Sequence, residues 1–416
     1  MGRWRRNLRI LVVSQFLVMG AMTMIIPFLP LYLQELGVEN PETLGVWAGL
    51  IFGANFLTAF LFSPFWGRMA DKYGRKMMIL RSGFGMAVII SLTGFATGPI
   101  SLLLLRLLNG VVSGFIPASI GLVSTNTPKE KVGYALGILQ SGGVAGAICG
   151  PLIGGVLAQQ FGYRMIFFLT GLCILVATIV VTLFVKETFI PEIATNEKAS
   201  TVQDFKIVTS KKPVLSLFLV IFLIQFAIMG VDPLLSLFVA ELTTPDKVAF
   251  YAGLTISAMG FANMLTSPFL GKLSDKVGAH YILIFSMIGV ALFSMPLAFV
   301  TSLWQLIMFR FMIGLCLGGL LPAANTLIWI HSPDGMESRT YGFSNSAMYL
   351  GSMIGPIIGG WIVSMFGIRS LFLVSAMVLF INVVIVKLKV LTPADIVFRT
   401  ETNGKKRRKV VADSDS

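Results

Sequence analysis

Charged residues are scarce in this chain of 416 residues. Aspartate, glutamate, lysine and arginine together make up 12% of it, while 56% is hydrophobic. A soluble domain cannot bury so large an apolar fraction, and apolar runs of about 20 residues are typical of membrane-spanning helices. The shortage of charge therefore excludes an ordinary soluble protein.

Cysteine and histidine are rarer still, with three and two copies. Cys149, Cys173 and Cys316 all fall in apolar runs, and an odd number indicates no disulfide framework. His280 and His331 lie far apart, and we find no cysteine, histidine and carboxylate cluster with metal-ligand spacing. Nucleophile elbows and phosphate-binding glycine loops are also missing. We expect no cofactor, no metal and no catalytic residues.

Twelve long apolar runs are present instead, which predicts an all-α membrane protein with twelve transmembrane helices. They cover 8–33, 45–66, 77–97, 100–124, 133–160, 163–186, 213–240, 247–270, 281–300, 302–328, 341–366 and 369–391.

The positive charge is unevenly placed. If both termini are cytoplasmic, 27 of the 32 lysines and arginines lie in cytoplasmic segments and only Arg164, Lys247 and Arg369 in outer loops. This asymmetry follows the positive-inside rule and predicts a plasma-membrane protein with cytoplasmic termini. A nucleic-acid-binding stripe is the less favoured reading of the net charge of +13, so we expect no nucleic acid partner.

The two halves of the chain repeat each other. Ser63–Gly67 recurs as Ser267–Gly271, and Arg106 recurs as Arg310 with an offset of 204. Six spans per half place both halves in the same orientation, with binding expected between them. The predicted units are an N-terminal six-helix bundle at 1–187, a cytoplasmic linker at 188–212, a C-terminal bundle at 213–391 and a basic tail at 392–416.

One polar segment interrupts the apolar runs near the third span: Gly-Arg-Met-Ala-Asp-Lys-Tyr-Gly-Arg-Lys, from Gly67 to Lys76. We predict a short hydrated loop in which Gly67 and Gly74 form tight turns. Its pattern resembles the loop 2–3 signature of the major facilitator superfamily of transporters. The resemblance implies two bundles with a parallel repeat, alternating access, and a gating role for Asp71 and Arg75, with Asp71 as a latch.

A second motif lies in the fifth span. Glycines four residues apart predict a helix face that another backbone can approach closely. Beside the packing role, the pattern resembles the signature of antiporter branches of this superfamily, which implies export and a role in closing the bundle interface. The motif residues are Gly146, Gly150, Pro151, Gly154 and Gly155.

Two arginines lie within spans. Holding Arg106 in hydrocarbon costs roughly 2.5–3.5 kcal/mol, so we expect it to face a cavity or a partner. The resemblance associates an arginine here with proton coupling; hydrogen bonding to helix carbonyls is the alternative. Arg310, its repeat counterpart, is interpreted as a secondary and structural residue.

Asp232 is the one acid within a span. Low-dielectric surroundings favour its neutral form, so it is a candidate for exchanging a proton against substrate. Gln225, seven residues earlier, is predicted on the same helix face. The alternative is that Asp232 caps a helix that restarts at Pro233. Asn325 is a further polar candidate, for substrate or for bridging helices.

The segments Pro27–Tyr32 and Ser63–Gly67 resemble bacterial twelve-span drug:proton antiporters. The resemblance implies multidrug efflux of lipophilic small molecules, with cationic compounds as one candidate class, in exchange for protons. The expected partners are substrate, protons and membrane lipid, with the chain acting as a monomer. A proton-coupled carrier for a sugar or amino acid derivative stays the alternative; a membrane enzyme or receptor is less favoured because catalytic groups and a soluble domain are lacking.

Overall fold

Twelve helices long enough to cross a membrane make up the part of the chain that the computed structural model describes, residues 3–128, 131–187, 201–333 and 336–390. No strand occurs in these ranges, and the predicted all-α class is confirmed. The spans, numbered 1 to 12 below, are Trp4–Glu35, Pro41–Tyr73, Arg75–Thr93, Pro99–Asn126, Val132–Phe161, Tyr163–Phe184, Pro213–Leu242, Pro245–Val277, Ala279–Phe299, Leu303–His331, Arg339–Phe366 and Ile368–Val390.

Four spans are broken at matching places in the two halves. Spans 1 and 7 each contain a short 3-10 turn at a proline, because proline supplies no backbone N–H to the helix ladder. Spans 4 and 10 each consist of two helices. The pieces are Arg3–Met24, Ile26–Phe28 and Leu29–Glu35; Pro99–Val112 and Phe115–Asn126; Lys212–Val231, Asp232–Leu234 and Leu235–Leu242; and Leu303–Leu317 and Leu320–His331.

The predicted loop around Gly67 is wrong in its extent. The helix Pro41–Tyr73 runs through Gly67, and only Gly74 turns the chain, with φ of +94°, before the helix Arg75–Thr93 begins. Hydropathy marks where apolar residues stop, whereas a helix can continue into water, where opposite charges three residues apart, such as those of Arg68 and Asp71, favour it. The polar segment is thus mostly the projecting end of span 2.

Two ends of the molecule can be distinguished. The basic end is the one at which span 1 begins, and it carries cations such as Arg5, Lys72, Lys131 and Lys276. Apart from span 2, whose most extensive contact is with span 11, spans 1 to 6 pack chiefly on one another, as do spans 7 to 12. The two groups meet where span 2 contacts span 11 and span 5 contacts span 8.

The bundles approach each other most closely at the end opposite the basic end. A Cβ placed on Gly45 would lie 2.9 Å from the carbonyl oxygen of Gly360, and one on Gly155 would lie 2.8 Å from that of Ala249. Ser257 Oγ donates a 2.6 Å hydrogen bond across the same interface to the carbonyl of Ile148. Backbones meet here because glycine has no side chain to separate them.

The same four spans are apart at the basic end. Gly67, Gly133, Gly271 and Gly342 lie in the basic-end halves of spans 2, 5, 8 and 11. Among the described residues, nothing lies within 4 Å of a Cβ placed on any of them. The glycine contacts between the bundles are therefore confined to the end opposite the basic end.

A short helix, Thr201–Ser210, precedes span 7 within the predicted linker. Asp204 accepts a 2.7 Å hydrogen bond from Arg339 Nη1, and Phe205 packs edge-on against Phe343, both on the helix of span 11. Val208, on the same short helix, is fully buried. This helix belongs to the second bundle; the rest of the linker, 188–200, and the predicted tail lie outside the described residues.

Candidate functional site

A buried ion pair joins spans 7 and 10. Arg310 Nη1 lies 2.8 Å from Asp232 Oδ1, and the two side chains are 4% and 10% exposed. Asp232 lies at the break before Pro233, where the helix Lys212–Val231 passes into the 3-10 turn. Removing both charges from water costs free energy, and the attraction between them offsets that cost.

Val231 holds the N-cap position of the 3-10 turn, and Asp232 is the first residue of the turn. Its carboxylate points to Arg310, whose guanidinium also lies 3.5 Å from the sulfur of Met259 on span 8. The observed geometry therefore differs from the helix-cap alternative, in which a backbone N–H of the turn would donate a hydrogen bond to the carboxylate.

A small cavity of about 30 Å³ adjoins the pair, between spans 7, 8, 9, 10 and 12. Its wall is mostly aliphatic, with hydroxyls from Ser294 and Ser375. Nε and Nη2 of Arg310 have no hydrogen-bond partner within the described part of the chain. A cavity of this size can hold a water molecule, which needs polar partners such as these.

The turn that carries Asp232 also lies at the closed interface. Asp232–Leu234 contacts span 2, span 11 and the matching turn Ile26–Phe28 of span 1. The repeat counterpart of Asp232 is Ile26, so the acid is present in one half only. A change of charge at Asp232 would therefore act directly on packing between the bundles.

Gln225 has a different neighbour. Its Nε2 donates a 3.2 Å hydrogen bond to Ser352 Oγ on span 11, so it bridges two helices of the second bundle. Gln225 is absent from the wall of the cavity beside Asp232. Asn325 is exposed, and its carbonyl accepts a 2.9 Å hydrogen bond from the hydroxyl of Tyr341.

Arg106 points to the interior of the protein. At 100° per residue it lies between the buried residues Leu102 and Gly110, and opposite Leu104 and Leu108, which are 55% and 51% exposed. This placement is away from lipid, while the cavity or partner expected for Arg106 stays a prediction. Its Nε is buried and has no hydrogen-bond partner among the described residues. Arg106 thus differs from Arg310, which has an acid beside it.

The segment around the end of span 2 is held by residues that sequence reasoning missed. Glu187 accepts hydrogen bonds from the backbone N–H groups of Arg75 and Lys76, at 3.0 and 2.8 Å, and so anchors the start of span 3 to the end of span 6. Asp71 pairs with Arg75, four residues on, and its side chain is 57% exposed. An acid placed after an apolar span was the available signal for Glu187, because helix N-termini attract anions.

Arg81 is the other missed residue. Its guanidinium carbon lies 3.6 Å from the ring centroid of Trp66, and Nη1 donates a 3.1 Å hydrogen bond to the carbonyl of Val112. Trp66 Nε1 donates to the carbonyl of Val111 at 2.6 Å. Arg81 and Trp66 thereby satisfy carbonyls at the break in span 4, where the helix leaves them unpaired.

The glycine motif of span 5 packs on two partners. Gly146, Gly150 and Gly154 lie against span 1, so they share one face as their spacing predicts. Gly155 and Pro151 lie on the side that contacts span 8, where the bundles meet. The motif therefore contributes both to the first bundle and to the closed interface.

A duplicated twelve-helix membrane fold, with a buried charge pair beside the interface of its two bundles, defines a secondary transporter by architecture. Comparison with known families gives a match to the Major Facilitator Superfamily over residues 11–245 and over residues 217–412. The chain belongs to this superfamily, and it is a multi-pass membrane transporter rather than an enzyme.

Curated relatives support the same assignment. The chain is 40% identical over 382 residues to the multidrug resistance protein MdtG of Enterobacter lignolyticus, covering 92% of this chain and 91% of that one. It is 39% identical to MdtG of Serratia proteamaculans, with 92% and 93% covered. Both relatives are multidrug resistance proteins by name, in keeping with the resemblance of Pro27–Tyr32 and Ser63–Gly67.

Solved structures share the fold at low identity. A bacterial homologue of the human lysosomal transporter Spinster, in an inward-facing and occupied conformation, superposes with a TM-score of 0.78 at 16% identity, covering 93% of this chain and 97% of that one. The nucleoside transporter NupG (D323A mutant) gives 0.77 at 13% identity, with 92% and 98% covered. These likenesses concern the fold alone.

Proposed function

We propose that this protein exports lipophilic small molecules in exchange for protons, by alternating access. The observation that carries the proposal is the buried pair of Asp232 and Arg310 beside the interface of the bundles. The names of its relatives, multidrug resistance proteins, support the efflux of several compounds. The basic end is assigned to the cytoplasm of a bacterial cell by the positive-inside rule, so the state described is open inward.

The proton step begins with the ion pair. Protonation of Asp232 removes the negative charge that holds Arg310, and a buried cation without its partner is costly. Arg310 then moves toward water in the adjoining cavity, and the turn Asp232–Leu234 loses its tie to span 10. Because this turn contacts the first bundle, its release weakens the closed interface. Arg106, the counterpart cation, takes part in coupling from the first bundle.

The substrate is lipophilic in this proposal. A selective carrier for a metabolite would require several polar groups that converge on one place. The spans of this protein offer few such groups. Phe226, Met229 and Met348 are partly buried, and methionine side chains repack around varied shapes. Cationic compounds stay a candidate class. Arg310 already neutralises Asp232, so a cation has to compete with both Arg310 and the proton for the carboxylate.

Inverted membrane vesicles test the function directly. With an acidic lumen, ethidium is expected to accumulate inside vesicles that contain the protein, and a protonophore is expected to abolish this accumulation. Release of lumenal protons on adding ethidium, followed with a pH-sensitive dye, measures the exchange. Accumulation equal to that in vesicles lacking the protein, or unaffected by the protonophore, contradicts proton-coupled efflux.

The latch at Asp71 gives a separate prediction. We expect Asp71→Ala to slow transport about fivefold or more. In the proposed latch, Asp71 pairs with a cation or a helix N-terminus when the basic end closes, and an anion at a helix N-terminus contributes roughly 1 kcal/mol. Ethidium uptake into vesicles, normalised to the amount of protein, measures the effect.

Asp275→Ala supplies the matched control for the latch. Asp275 is the repeat counterpart of Asp71 and is also exposed, but Ala279 and His280 stand where Arg75 and Lys76 follow Asp71. We expect this variant to transport at a rate close to that of the unmodified protein. Full activity of Asp71→Ala would refute the latch.

A further inference from the structure

Hydrogen bonds hold the half of span 4 that carries Arg106 against span 2. Thr58 Oγ1 donates to the carbonyl of Leu107 at 2.8 Å, and Asn109 Nδ2 donates to Asn55 Oδ1 at the same distance. Two donors described above, from spans 2 and 3, reach carbonyls at the break of span 4. The side chains that make these bonds are called the polar seam: Asn55, Thr58, Trp66, Arg81 and Asn109.

The repeat replaces the whole polar seam by apolar residues in the second half. With the offset of 204 that relates Arg106 to Arg310, the counterparts are Met259, Ala262, Leu270, Phe285 and Ile313. These side chains carry no N–H or O–H group, so they cannot donate the bonds of the polar seam. The packing itself is retained, because Gly110 lies against span 2 and Gly314 lies against span 8 in the same way.

The two helix contacts therefore resist displacement differently. If span 4 slides along span 2, the bonds of the polar seam break, and buried donors and acceptors left unpaired cost free energy. Span 10 rests on span 8 through apolar contacts, which are non-directional. The sulfur of Met259, 3.5 Å from Arg310 Nη1, is only a weak acceptor. Packed helices can slide over one another in a conformational change, and span 10 is the one with less to lose.

We propose that the helix Leu303–Leu317 of span 10 shifts when Arg310 leaves Asp232, while the polar seam keeps its counterpart in span 4 in place. This inference rests on the proposed function, which supplies the release of Arg310. It makes the five seam side chains positioning residues, because they hold Arg106 at a fixed point of the first bundle.

The break in span 10 separates the shifting half from a fixed one. The hydroxyl of Tyr341 donates a 2.9 Å hydrogen bond to the carbonyl of Asn325, which ties the half Leu320–His331 to span 11. Gly318 and Gly319 lie between the two halves. Glycine adopts backbone conformations that are closed to other residues, so this break can absorb the shift.

Spin labels compare the two helices directly. In the full-length protein without its native cysteines, Met308→Cys and Leu388→Cys place labels on spans 10 and 12. Leu104→Cys and Leu183→Cys place them at the repeat counterparts on spans 4 and 6, and all four positions are exposed. Each pair lies within one bundle and near opposite ends of its spans. Sliding along the helix axis therefore changes the distance, whereas rocking of whole bundles does not.

The variant Asp232→Asn imitates the protonated acid. Electron–electron resonance is expected to show a change of about 3 Å, two residues of helix rise, between spans 10 and 12, and of less than about 1 Å between spans 4 and 6. Equal changes in the two pairs, or no change in either, overturn the proposal. If this variant does not fold, the double variant Asp232→Asn, Arg310→Gln also lacks the tie between spans 7 and 10. A broader distance distribution for spans 10 and 12 than for spans 4 and 6 is then expected, and equal widths overturn the proposal.

A single hydroxyl tests the cause of the difference. Ala262→Thr places in span 8 the side chain that Thr58 supplies in span 2, opposite Phe311, the counterpart of Leu107. It is expected to suppress the distance change between spans 10 and 12 and to slow ethidium uptake about fivefold, the factor that one buried hydrogen bond supplies. Ala262→Val has the same shape without the hydroxyl and is expected to do neither. Equal effects of the two variants overturn the role of hydrogen bonding.

The reverse change tests the polar seam itself. Thr58→Val keeps the shape of threonine and removes its bond to the carbonyl of Leu107. With Asp232→Asn, it is expected to give the pair on spans 4 and 6 a distance change that the unmodified seam prevents; an unchanged distance contradicts the locking of span 4. Failure of the efflux proposal looks different. Vesicles without ethidium uptake, together with a shift confined to span 10, contradict efflux alone, whereas proton-driven uptake with both distances unchanged contradicts this inference alone.

Discussion

Asp232→Asn is expected to abolish proton-driven transport, because asparagine has nearly the same shape as aspartate but cannot carry and release a proton. The substitution also leaves Arg310 as a buried cation without its anion. Losing one partner of a buried pair typically destabilises a protein by about 3–5 kcal/mol. Ethidium uptake in inverted vesicles measures the first effect, and the yield of folded protein in detergent measures the second.

A double variant separates these two effects. Replacing Asp232 by Asn together with Arg310 by Gln removes both charges, and eliminating a buried pair as a unit is often neutral for stability. We therefore expect the double variant to regain the yield and melting temperature of the unmodified protein while remaining inactive. Uptake driven by the pH gradient at the normal rate in this variant would remove Asp232 from the coupling mechanism.

The spans and the repeat could be predicted from the sequence because both produce local sequence patterns. Twelve apolar runs match the twelve helices, and the four-residue spacing of Gly146, Gly150 and Gly154 correctly predicts one shared face. The ends of the helices were harder to predict from the sequence. Span 2 continues to Tyr73, beyond its apolar run. Hydropathy measures how favourably residues leave water, so it does not predict where the backbone hydrogen bonds of a helix end.

The pairing of Asp232 with Arg310 could not be read from the sequence. The two residues are 78 positions apart on different spans, and the repeat pointed away from the pair, since Asp232 corresponds to Ile26 in the first half. Arg310 was interpreted as a structural residue because the signature that the chain resembles is usually strongest in the first half. Only the packing of span 7 against span 10 brings the charges together, and helical periodicity contains no information about which spans are neighbours.

The close contact of spans 2 and 11 leads to the second large effect, at Gly49. A Cβ at this position would lie 2.9 Å from the carbonyl carbon of Pro356 and 3.2 Å from Cα of Ile357. These are backbone atoms, so a side chain cannot be accommodated by a rotamer change. We expect Gly49→Val to force the spans apart at the end opposite the basic end. Overpacking of this kind costs about 1–3 kcal/mol, which shifts the balance of inward-open and outward-open states by roughly 5- to 150-fold.

Spin labels make this shift measurable. In a background without the native cysteines, labels at Glu42→Cys and Met365→Cys report the distance between spans 2 and 11 at the end that is closed in this structure. Both positions are exposed. Electron–electron resonance is expected to show a longer distance in Gly49→Val, and ethidium uptake is expected to fall to background because the protein no longer returns to the inward-open state. Gly98→Val is the matched control, since Gly98 lies at the same end, has extended backbone (φ −178°) and has no described atom within 4 Å of an added Cβ. An unchanged distance in Gly49→Val, with transport equal to that of the control, would show that this glycine contact does not hold the two bundles together.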